Sequence, residues 1–277
     1  MTDIPFDGLV LATQTTPHAT FAERLAAAAA GGYQGIGLRP ADRARAHADE
    51  GLTDADMRTM LADHGLALVE VEVHRGFAQH GDAAAVSRAS EDALFGLADA
   101  LGGRHMIAIT DMDGDLDDAA ERFAGLCDRA AEHDLAVALE FLPWTDVADA
   151  GIALEIALRA DRPNGGVLVD SWHHYRGAAD DDLIRALPAD RIVAIQFDDA
   201  DADVVGTLLD DTLHRRRIPG EGSFDLVRFL RVLADTGTTA PIGVEVISDD
   251  LAALPPVEAA VRAAEATRRI LAEAFTE

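Results

Sequence analysis

The chain has 277 residues, of which 50 are acidic and 23 are basic, and its formal net charge is −27. A surface this acidic repels nucleic acid and anionic lipid, and the chain lacks the run of about 18 apolar residues that a transmembrane helix needs. We therefore expect neither a nucleic-acid partner nor a membrane partner. All the basic residues are arginine, which excludes enzymes that form a Schiff base on lysine.

Cysteine content and the first residues bear on the cellular compartment. Cys127 is the single cysteine, so no intrachain disulfide can form. The opening sequence MTDIPFDG lacks the basic segment and the apolar segment of a secretory signal. These features are typical of a cytoplasmic protein.

Short apolar runs, which we predict to be strands, alternate with helical patterns along the whole chain. The eight runs are 9–15, 35–39, 66–73, 105–110, 136–142, 166–170, 192–197 and 242–247. Helices are predicted at 20–32, 53–65, 90–103, 115–134, 147–160, 180–188, 224–237 and 256–275. Thr20 and Thr53 are the predicted N-caps of the first two helices, and Asp56 completes a capping box with Thr53.

Strands that alternate with helices indicate a parallel sheet with crossover connections. Eight such units match a single (β/α)8 TIM barrel, which we expect to occupy residues 1–277 as one domain. The alternative is an open, doubly wound sheet. That fold usually carries a glycine-rich phosphate loop after its first strand, and residues 10–20 contain no glycine.

Oxygen-bearing side chains follow four consecutive predicted strands. Glu140, Asp170, Gln196 and Glu245 each stand at or near the end of an apolar run. In a barrel these ends meet at one rim, so three carboxylates would repel one another unless a cation lies between them. Three carboxylates and an amide oxygen suit Mn²⁺ or Mg²⁺ better than Zn²⁺, although Co²⁺ and Zn²⁺ remain alternatives.

Neighbouring residues are candidates for binding or catalysis. His173 follows Asp170 by three positions and could reach a substrate hydroxyl or carbonyl. His174 is the alternative candidate for this contact. Trp144 could form a pocket wall against a ring, or could pack under its own loop. His74 shares a strand face with Glu70 and Glu72, so we include it as a candidate for the pocket lining.

A second informative loop is HRRRIPGEGSFD, residues 214–225. Its proline and glycines predict a tight turn before a helix. Arg217 precedes that turn, and we expect its guanidinium to be held over the site, where it would clamp a carboxylate, an enolate oxygen or a hydroxyl. Arg215 and Arg216 are expected to face solvent.

As a set, these motifs resemble those of the sugar-phosphate isomerase/epimerase group of xylose isomerase-like TIM barrels. That group includes ketose epimerases, hydroxypyruvate isomerase, inosose isomerases and dehydratases, and 3-dehydroshikimate dehydratases. Its metal ligands are Glu, Asp, His and Glu, which correspond here to Glu140, Asp170, Gln196 and Glu245. The glutamine departs from the usual histidine and is similar to what some bacterial 3-dehydroshikimate dehydratases carry. The group's Asp-x-x-His motif corresponds to Asp170 and His173.

The resemblance implies a divalent-metal-dependent isomerase or epimerase that removes a proton next to a carbonyl of a polyhydroxylated substrate, through a metal-stabilised enediolate. It implies that Glu140 and Glu245 exchange the proton on opposite faces of the substrate. If a β-hydroxyl leaves instead, the enzyme is a dehydratase and His173 serves as acid or base. A homo-oligomer is compatible with the resemblance.

Two other classes were weighed against this interpretation. A non-catalytic barrel that binds a small molecule, or that serves as a subunit of a larger enzyme, is one of them. A zinc-dependent DNA repair enzyme of the endonuclease IV type is the other. The negative net charge and the few metal ligands at strand ends one to four disfavour that nuclease.

Overall fold

The computed structural model describes residues 4–276, and eight parallel strands form a closed barrel at its centre. These strands are β1 (Leu9–Leu11), β2 (Gly35–Leu38), β3 (Ala67–Arg75), β4 (His105–Ile109), β5 (Ala136–Glu140), β6 (Gly165–Asp170), β7 (Ile192–Phe197) and β10 (Ile242–Val244). Their order around the barrel is β1-β10-β7-β6-β5-β4-β3-β2. The predicted (β/α)8 barrel is therefore confirmed, with all eight strands at the predicted places.

Helices surround the barrel on its outside and at its rim. They are α1 (Phe21–Gly31), α2 (Pro40–Asp49), α3 (Asp54–Asp63), α4 (Gly81–Leu101), α5 (Leu116–Ala131), α6 (Ala150–Ala160), α7 (Ser171–Arg176), α8 (Asp181–Arg185), α9 (Leu208–His214), α10 (Leu226–Asp235), α11 (Asp249–Ala252) and α12 (Pro256–Phe275). None of those described between residues 4 and 276 combines the length and apolarity that a membrane crossing requires.

Capping residues fix where the first predicted helices begin. The Thr20 side chain accepts a hydrogen bond from the Glu23 backbone N–H, and the Glu23 carboxylate accepts one from the Thr20 backbone N–H. Thr53 and Asp56 form the same reciprocal pair at the start of α3. Each pair satisfies amide groups that the first helical turn leaves free.

Two helical regions differ from the prediction. Helix α2 was not predicted, because its sequence has no apolar periodicity and only Ala46 is buried. Helix α4 begins at Gly81, nine residues before the predicted start at Ser90. Its first turns carry small and polar side chains that are mostly exposed, so they give no amphipathic signal.

A short antiparallel hairpin interrupts the last barrel unit. Its strands are β8 (Asp199–Ala200) and β9 (Arg216–Arg217), and α9 lies between them. This is the segment that the sequence marks as an insertion, since the interval between β7 and β10 is longer than the others. The hairpin brings residues of the insertion back to the rim of the barrel.

Small side chains make room for a buried acid inside the barrel. A Cβ at Gly243 of β10 would collide with the Glu70 carboxylate, and one at Gly37 of β2 would come within 3.1 Å of it. Glu70 is almost fully buried, and His105 lies beside it with 3.9 Å between Nε2 and Oε1. The glycines of β2 and β10, the two strands that flank β1, therefore set the shape of the barrel interior below the rim.

Candidate active site

The predicted ligand residues form one layer of side chains in the barrel interior. This layer lies directly above an apolar layer. Ala138 of β5, Leu168 of β6 and Ala194 of β7 form that apolar layer with Ile107 of β4. Strand side chains alternate between faces, so the residue two positions further on points the same way. These residues are Glu140, Asp170 and Gln196. Glu245 stands in the same relation to Gly243 on β10.

The Gln196 amide lies at the centre of three carboxylates. The amide atom that faces these carboxylates is 3.2 Å from a Glu140 oxygen, 3.2 Å from a Glu245 oxygen and 3.3 Å from an Asp170 oxygen. In the amide orientation that satisfies the hydrogen bonding, the nitrogen donates to all three carboxylates. In the opposite orientation the amide oxygen faces them and finds no donor. In this second orientation one oxygen from each of the four residues faces the others, with no hydrogen-bond donor between them. A hard divalent cation fits this donor set.

The charges around the site act unequally on two of these acids. Burial strongly raises the pKa of Glu245, and the nearby carboxylates of Glu140 and Asp170 add to this effect against the opposing charge of Arg216. Burial also acts to raise the pKa of Asp170, but Arg216 and His173 outweigh it and leave that pKa below its usual range. Asp170 is therefore an anion in the folded protein even without a bound cation.

His173 belongs to the same cluster. Ligand atoms of Glu140, Asp170 and His173 lie within 4.8 Å of one another. Its Nε2 is 3.2 Å from a Glu140 oxygen, and its backbone amide donates to Asp170. Asp170 also caps α7 by accepting from the backbone N–H groups of Trp172 and His173, which gives an acid at the end of a buried strand a structural role.

Arg216 is the arginine that loop 214–225 contributes to the site. It is buried, and its Nη1 donates to Asp170 Oδ2 at 2.8 Å and to the Asp198 carboxylate, and lies 3.3 Å from a Glu245 oxygen. Burial alone would lower its pKa, but these three acids raise it well above its usual value. Arg216 is thus a permanent cation that contacts two predicted ligands, Asp170 of β6 and Glu245 directly after β10.

Arg217 points away from the site, contrary to the prediction. Its guanidinium pairs with Asp201, with 2.9 Å between Nη2 and Oδ2, and it does not line the main cavity. Adjacent residues of a strand point to opposite faces, so β9 can direct only one of its two arginines inward. The prediction that Arg217 lies over the site and Arg216 in solvent is therefore wrong, because the structure has the reverse arrangement.

Two predicted histidines also lie outside the cavity. Adjacent helix residues point about 100° apart, so His174 points away from the cavity that His173 lines. The His174 Nε2 is 3.2 Å from Asp181 Oδ1, and its ring packs on Phe229. His74 faces α4, where its Nε2 is 3.2 Å from the Ser87 hydroxyl. The pairing register of β3 shifts between Val71 and His74, so His74 leaves the face that Glu70 and Glu72 share.

The site opens into a cavity of about 260 Å³, which suits a small molecule. Its lining includes the predicted residues Glu140, Trp144, His173, Gln196 and Glu245, whereas Asp170 is sealed beneath it. It also includes polar residues that the sequence analysis did not select: Gln14, Arg39, Glu72, Arg75, Thr212 and Arg216. Arg39 and Arg75 lie at the ends of β2 and β3, so the strand-end rule applied to β5–β7 would have found them.

Comparisons with known proteins agree with this architecture. A 3-dehydroshikimate dehydratase of Pseudomonas aeruginosa is 30% identical over 244 residues, or 85% of this chain. The chain spans 37% of the length of that protein. An inosose isomerase of Halalkalibacterium halodurans is 30% identical over 154 residues, which are 54% of this chain and 53% of that protein.

Solved structures and a family model extend the comparison to the whole barrel. A structure described as the IOLI protein with a binding zinc atom has a TM-score of 0.87 at 20% identity, over 98% of this chain and all of that one. A fusion of a xylose isomerase-like TIM barrel with a 4-hydroxyphenylpyruvate dioxygenase has a TM-score of 0.82 at 26% identity, over 94% of this chain and 41% of that one. The model for the xylose isomerase-like TIM barrel matches residues 25–270. The chain therefore belongs to the xylose isomerase-like TIM barrel family.

Proposed function

We propose that this protein is a divalent-metal-dependent enzyme that removes a proton next to the carbonyl of a small polyhydroxylated substrate. The observation that carries the proposal is the convergence of three carboxylates on the Gln196 amide at the floor of the cavity. Glu140, Asp170, Gln196 and Glu245 would hold the cation. A divalent cation, when bound, supplies Lewis-acid stabilisation of the negative charge that develops on a carbonyl oxygen.

Residues of the cavity would remove the proton, donate one to the leaving group and contact the substrate. Glu140 and Glu245 line the cavity, so either carboxylate can reach a carbon-bound proton, whereas Asp170 is sealed below and serves only to hold charge. His173 touches Glu140 and also lines the cavity. It can therefore donate a proton to a leaving hydroxyl or return one to the substrate. The Trp144 ring forms a wall against the apolar face of a ring or chain.

Dehydration is the outcome that the comparisons support first. The dehydratase relative matches 85% of this chain, whereas the inosose isomerase matches 54%. In dehydration, a carbon–hydrogen bond breaks and the proton passes to a glutamate. The β carbon–oxygen bond then breaks, and the hydroxyl leaves as water with a proton from His173.

Isomerisation or epimerisation is the second candidate. Two of the proposed metal-binding residues that line the cavity are glutamates, Glu140 and Glu245, and this arrangement allows a proton to be taken by one carboxylate and returned by the other. The inosose isomerase relatives support this outcome.

Mass spectrometry in D₂O tests the proposal and separates the two outcomes. Mn²⁺-loaded protein is incubated with 3-dehydroshikimate, an inosose and a ketopentose. A product lighter by one water indicates a dehydratase, and a product of unchanged formula that carries solvent deuterium indicates an isomerase or epimerase. We expect Glu245→Gln to abolish either signal. Absence of both signals with the wild-type protein across the panel contradicts the proposal.

A further inference from the structure

Glu72 is a further glutamate of the cavity, and no step of the proposed reaction uses it. It shares a strand face with Glu70 on β3, and it lines the cavity together with Glu140 and Glu245. In the closed barrel order β3 lies four places from β7, so Glu72 stands across the barrel from Gln196. A substrate bound beside the proposed metal ligands would therefore lie between those ligands and Glu72.

One oxygen of the Glu72 carboxylate is available to a molecule in the cavity. Oε1 accepts a hydrogen bond from the Thr13 backbone N–H at 3.1 Å, which fixes the orientation of the carboxylate. Arg39 Nε lies 3.5 Å from Oε2 without donating a hydrogen bond to it. Within residues 4–276, Oε2 accepts no hydrogen bond, so it can receive a proton from a bound substrate.

The surroundings of Glu72 make it a stronger base than a glutamate that binds metal. Burial raises the pKa of Glu72 against the opposing effects of the Arg39 charge and the Thr13 backbone N–H. A divalent cation acts in the other direction on its own ligands, because it stabilises the charged form of a carboxylate and so lowers its pKa. A general base works best when its pKa lies near the working pH. Among the glutamates of the cavity, Glu72 therefore combines position with basicity.

Glu70 lies beneath Glu72 and leaves the negative charge of the pair on Glu72. A Cβ at Gly37 would lie 2.5 Å from Glu72 Oε1 and 3.1 Å from Glu70 Oε2, so the two carboxyl groups meet at one place in the barrel. Burial raises the pKa of Glu70 well above its usual value, and the charge of Glu72 adds to this effect. Glu70 is thus a neutral acid that does not line the cavity, whereas Glu72 is the member of the pair that a substrate can reach.

We propose that Glu72 is the catalytic base, which takes the proton next to the substrate carbonyl on the face turned away from the proposed metal ligands. The carbon–hydrogen bond breaks, its electron pair becomes the double bond of the enediolate, and the proton passes to Glu72 Oε2. In dehydration the electron pair then expels the β-hydroxyl, which leaves as water with a proton from His173, and Glu72 releases its proton to solvent. In epimerisation Glu140 or Glu245 returns a proton to the opposite face. This inference rests on the proposed function, whose proton acceptor it names.

Glu72→Gln tests the assignment, because the amide oxygen can still accept from Thr13 but the side chain can no longer take a proton. In the Mn²⁺-loaded protein with the best substrate of the panel, we expect kcat to fall at least ~100-fold, a usual contribution of a general base. The KM and the calorimetric Kd for Mn²⁺ should stay within about twofold, because the lost interaction belongs to the transition state.

A matched variant and a chemical rescue separate a catalytic role from a structural one. Glu70→Gln is the control, since Glu70 is as buried as Glu72, on the same face of the same strand, and outside the cavity lining. Its kcat should stay within about threefold of the wild-type value. In Glu72→Ala, added formate should raise turnover at least ~tenfold, because it supplies a carboxylate base where the side chain is missing. Formate should not raise the turnover of the wild-type protein.

The outcomes distinguish this inference from the proposed function. Wild-type turnover in Glu72→Gln, loss of its Mn²⁺ binding, an equal loss of turnover in Glu70→Gln, or no rescue of Glu72→Ala by formate overturns the assignment of the base. If Glu72→Gln matches an active, metal-dependent wild type, the proposed function stands and this inference fails. If the metal-stripped wild type keeps full turnover and Glu72→Gln loses it, the proposed metal dependence fails and this inference stands. Absence of turnover across the panel overturns both.

Discussion

Arg216 donates a hydrogen bond to Asp170 across 2.8 Å, although the two residues are 46 positions apart in the chain. The contact depends on the β8–β9 hairpin, which carries Arg216 from the insertion back over β6. Asp198, which directly follows β7, holds the same guanidinium and is itself fixed by the Ser171 hydroxyl at 3.0 Å. One buried cation thereby ties the insertion to the ends of two barrel strands.

Replacement of Arg216 should therefore damage both the site and the fold. Arg216→Gln leaves Asp170 and Asp198 buried without their cation, a change that typically costs about 3–5 kcal/mol of stability. We expect kcat/KM to fall at least ~100-fold, because a preorganised charge at the site is lost. Thermal unfolding and steady-state kinetics of the same variant measure the two effects. Arg217→Gln is the matched control, since its exposed pair with Asp201 is worth at most about 1 kcal/mol. Comparable loss in both variants would show that the hairpin orientation is wrong.

Gln196 should contribute to metal affinity through its amide oxygen. Gln196→Ala removes one of four oxygens, and we expect the Kd for Mn²⁺ to rise about tenfold or more, which corresponds to ~1.4 kcal/mol. Gln196→His supplies a nitrogen ligand at the same place and should restore binding, with a shift in preference toward Zn²⁺. Calorimetric titration with both metals checks these values. Unchanged Mn²⁺ affinity in Gln196→Ala would remove this residue from the ligand set.

Gly243 should be intolerant of even a methyl group. In Gly243→Ala the new Cβ would meet the Glu70 carboxylate, which is buried and has little space to move. Overpacking of this kind costs about 1–3 kcal/mol. Gly96→Ala in helix α4 is the control, because its Cβ has only Arg43 within 4 Å, at 3.9 Å, and alanine favours a helix by up to ~1 kcal/mol. Urea unfolding compares the two, and equal stability changes would contradict the packing described for β10.

His105 should make the protein less stable as the pH falls. Burial, with a small addition from Arg104, lowers the pKa of His105 to about 3. The folded state therefore keeps the ring neutral, while the unfolded chain binds a proton below about pH 6.5. Between these values the unfolded state binds more protons, so stability declines by about 1.4 kcal/mol per pH unit from this residue. His105→Gln should show a shallower decline in urea unfolding from about pH 6.5 to about pH 4.5. Parallel curves for variant and wild type would refute the assignment.

The barrel and the proposed ligand residues could be predicted from the sequence for one physical reason. Strand ends of a parallel barrel meet at a common rim, so Glu140, Asp170, Gln196 and Glu245 could be placed together from alternation and strand order alone. The same rule applied to Arg39 and Arg75 would have extended the site to β2 and β3. The strand-end rule does not predict the conformation of an insertion, because the face that β9 turns inward depends on its pairing with β8.

Local irregularity explains the other departures. A register shift in β3 changes which face His74 occupies, and strict alternation along the sequence cannot reveal such a shift. His174 lies on a helix only six residues long, whose rotation relative to the cavity is set by the capping of α7 by Asp170. Helix α2 was not predicted because Ala46 is its one buried residue, so its sequence shows no apolar face.

Metal reconstitution tests the central claim most directly. The protein is stripped with a chelator, and Mn²⁺ is then added stepwise while bound metal and turnover of the best substrate are measured together. We predict no turnover in the stripped protein, recovery complete at one Mn²⁺ per chain, and neither binding nor recovery in Glu245→Gln. Full turnover by the stripped wild-type protein, or unchanged Mn²⁺ binding by the variant, would contradict the proposed metal site.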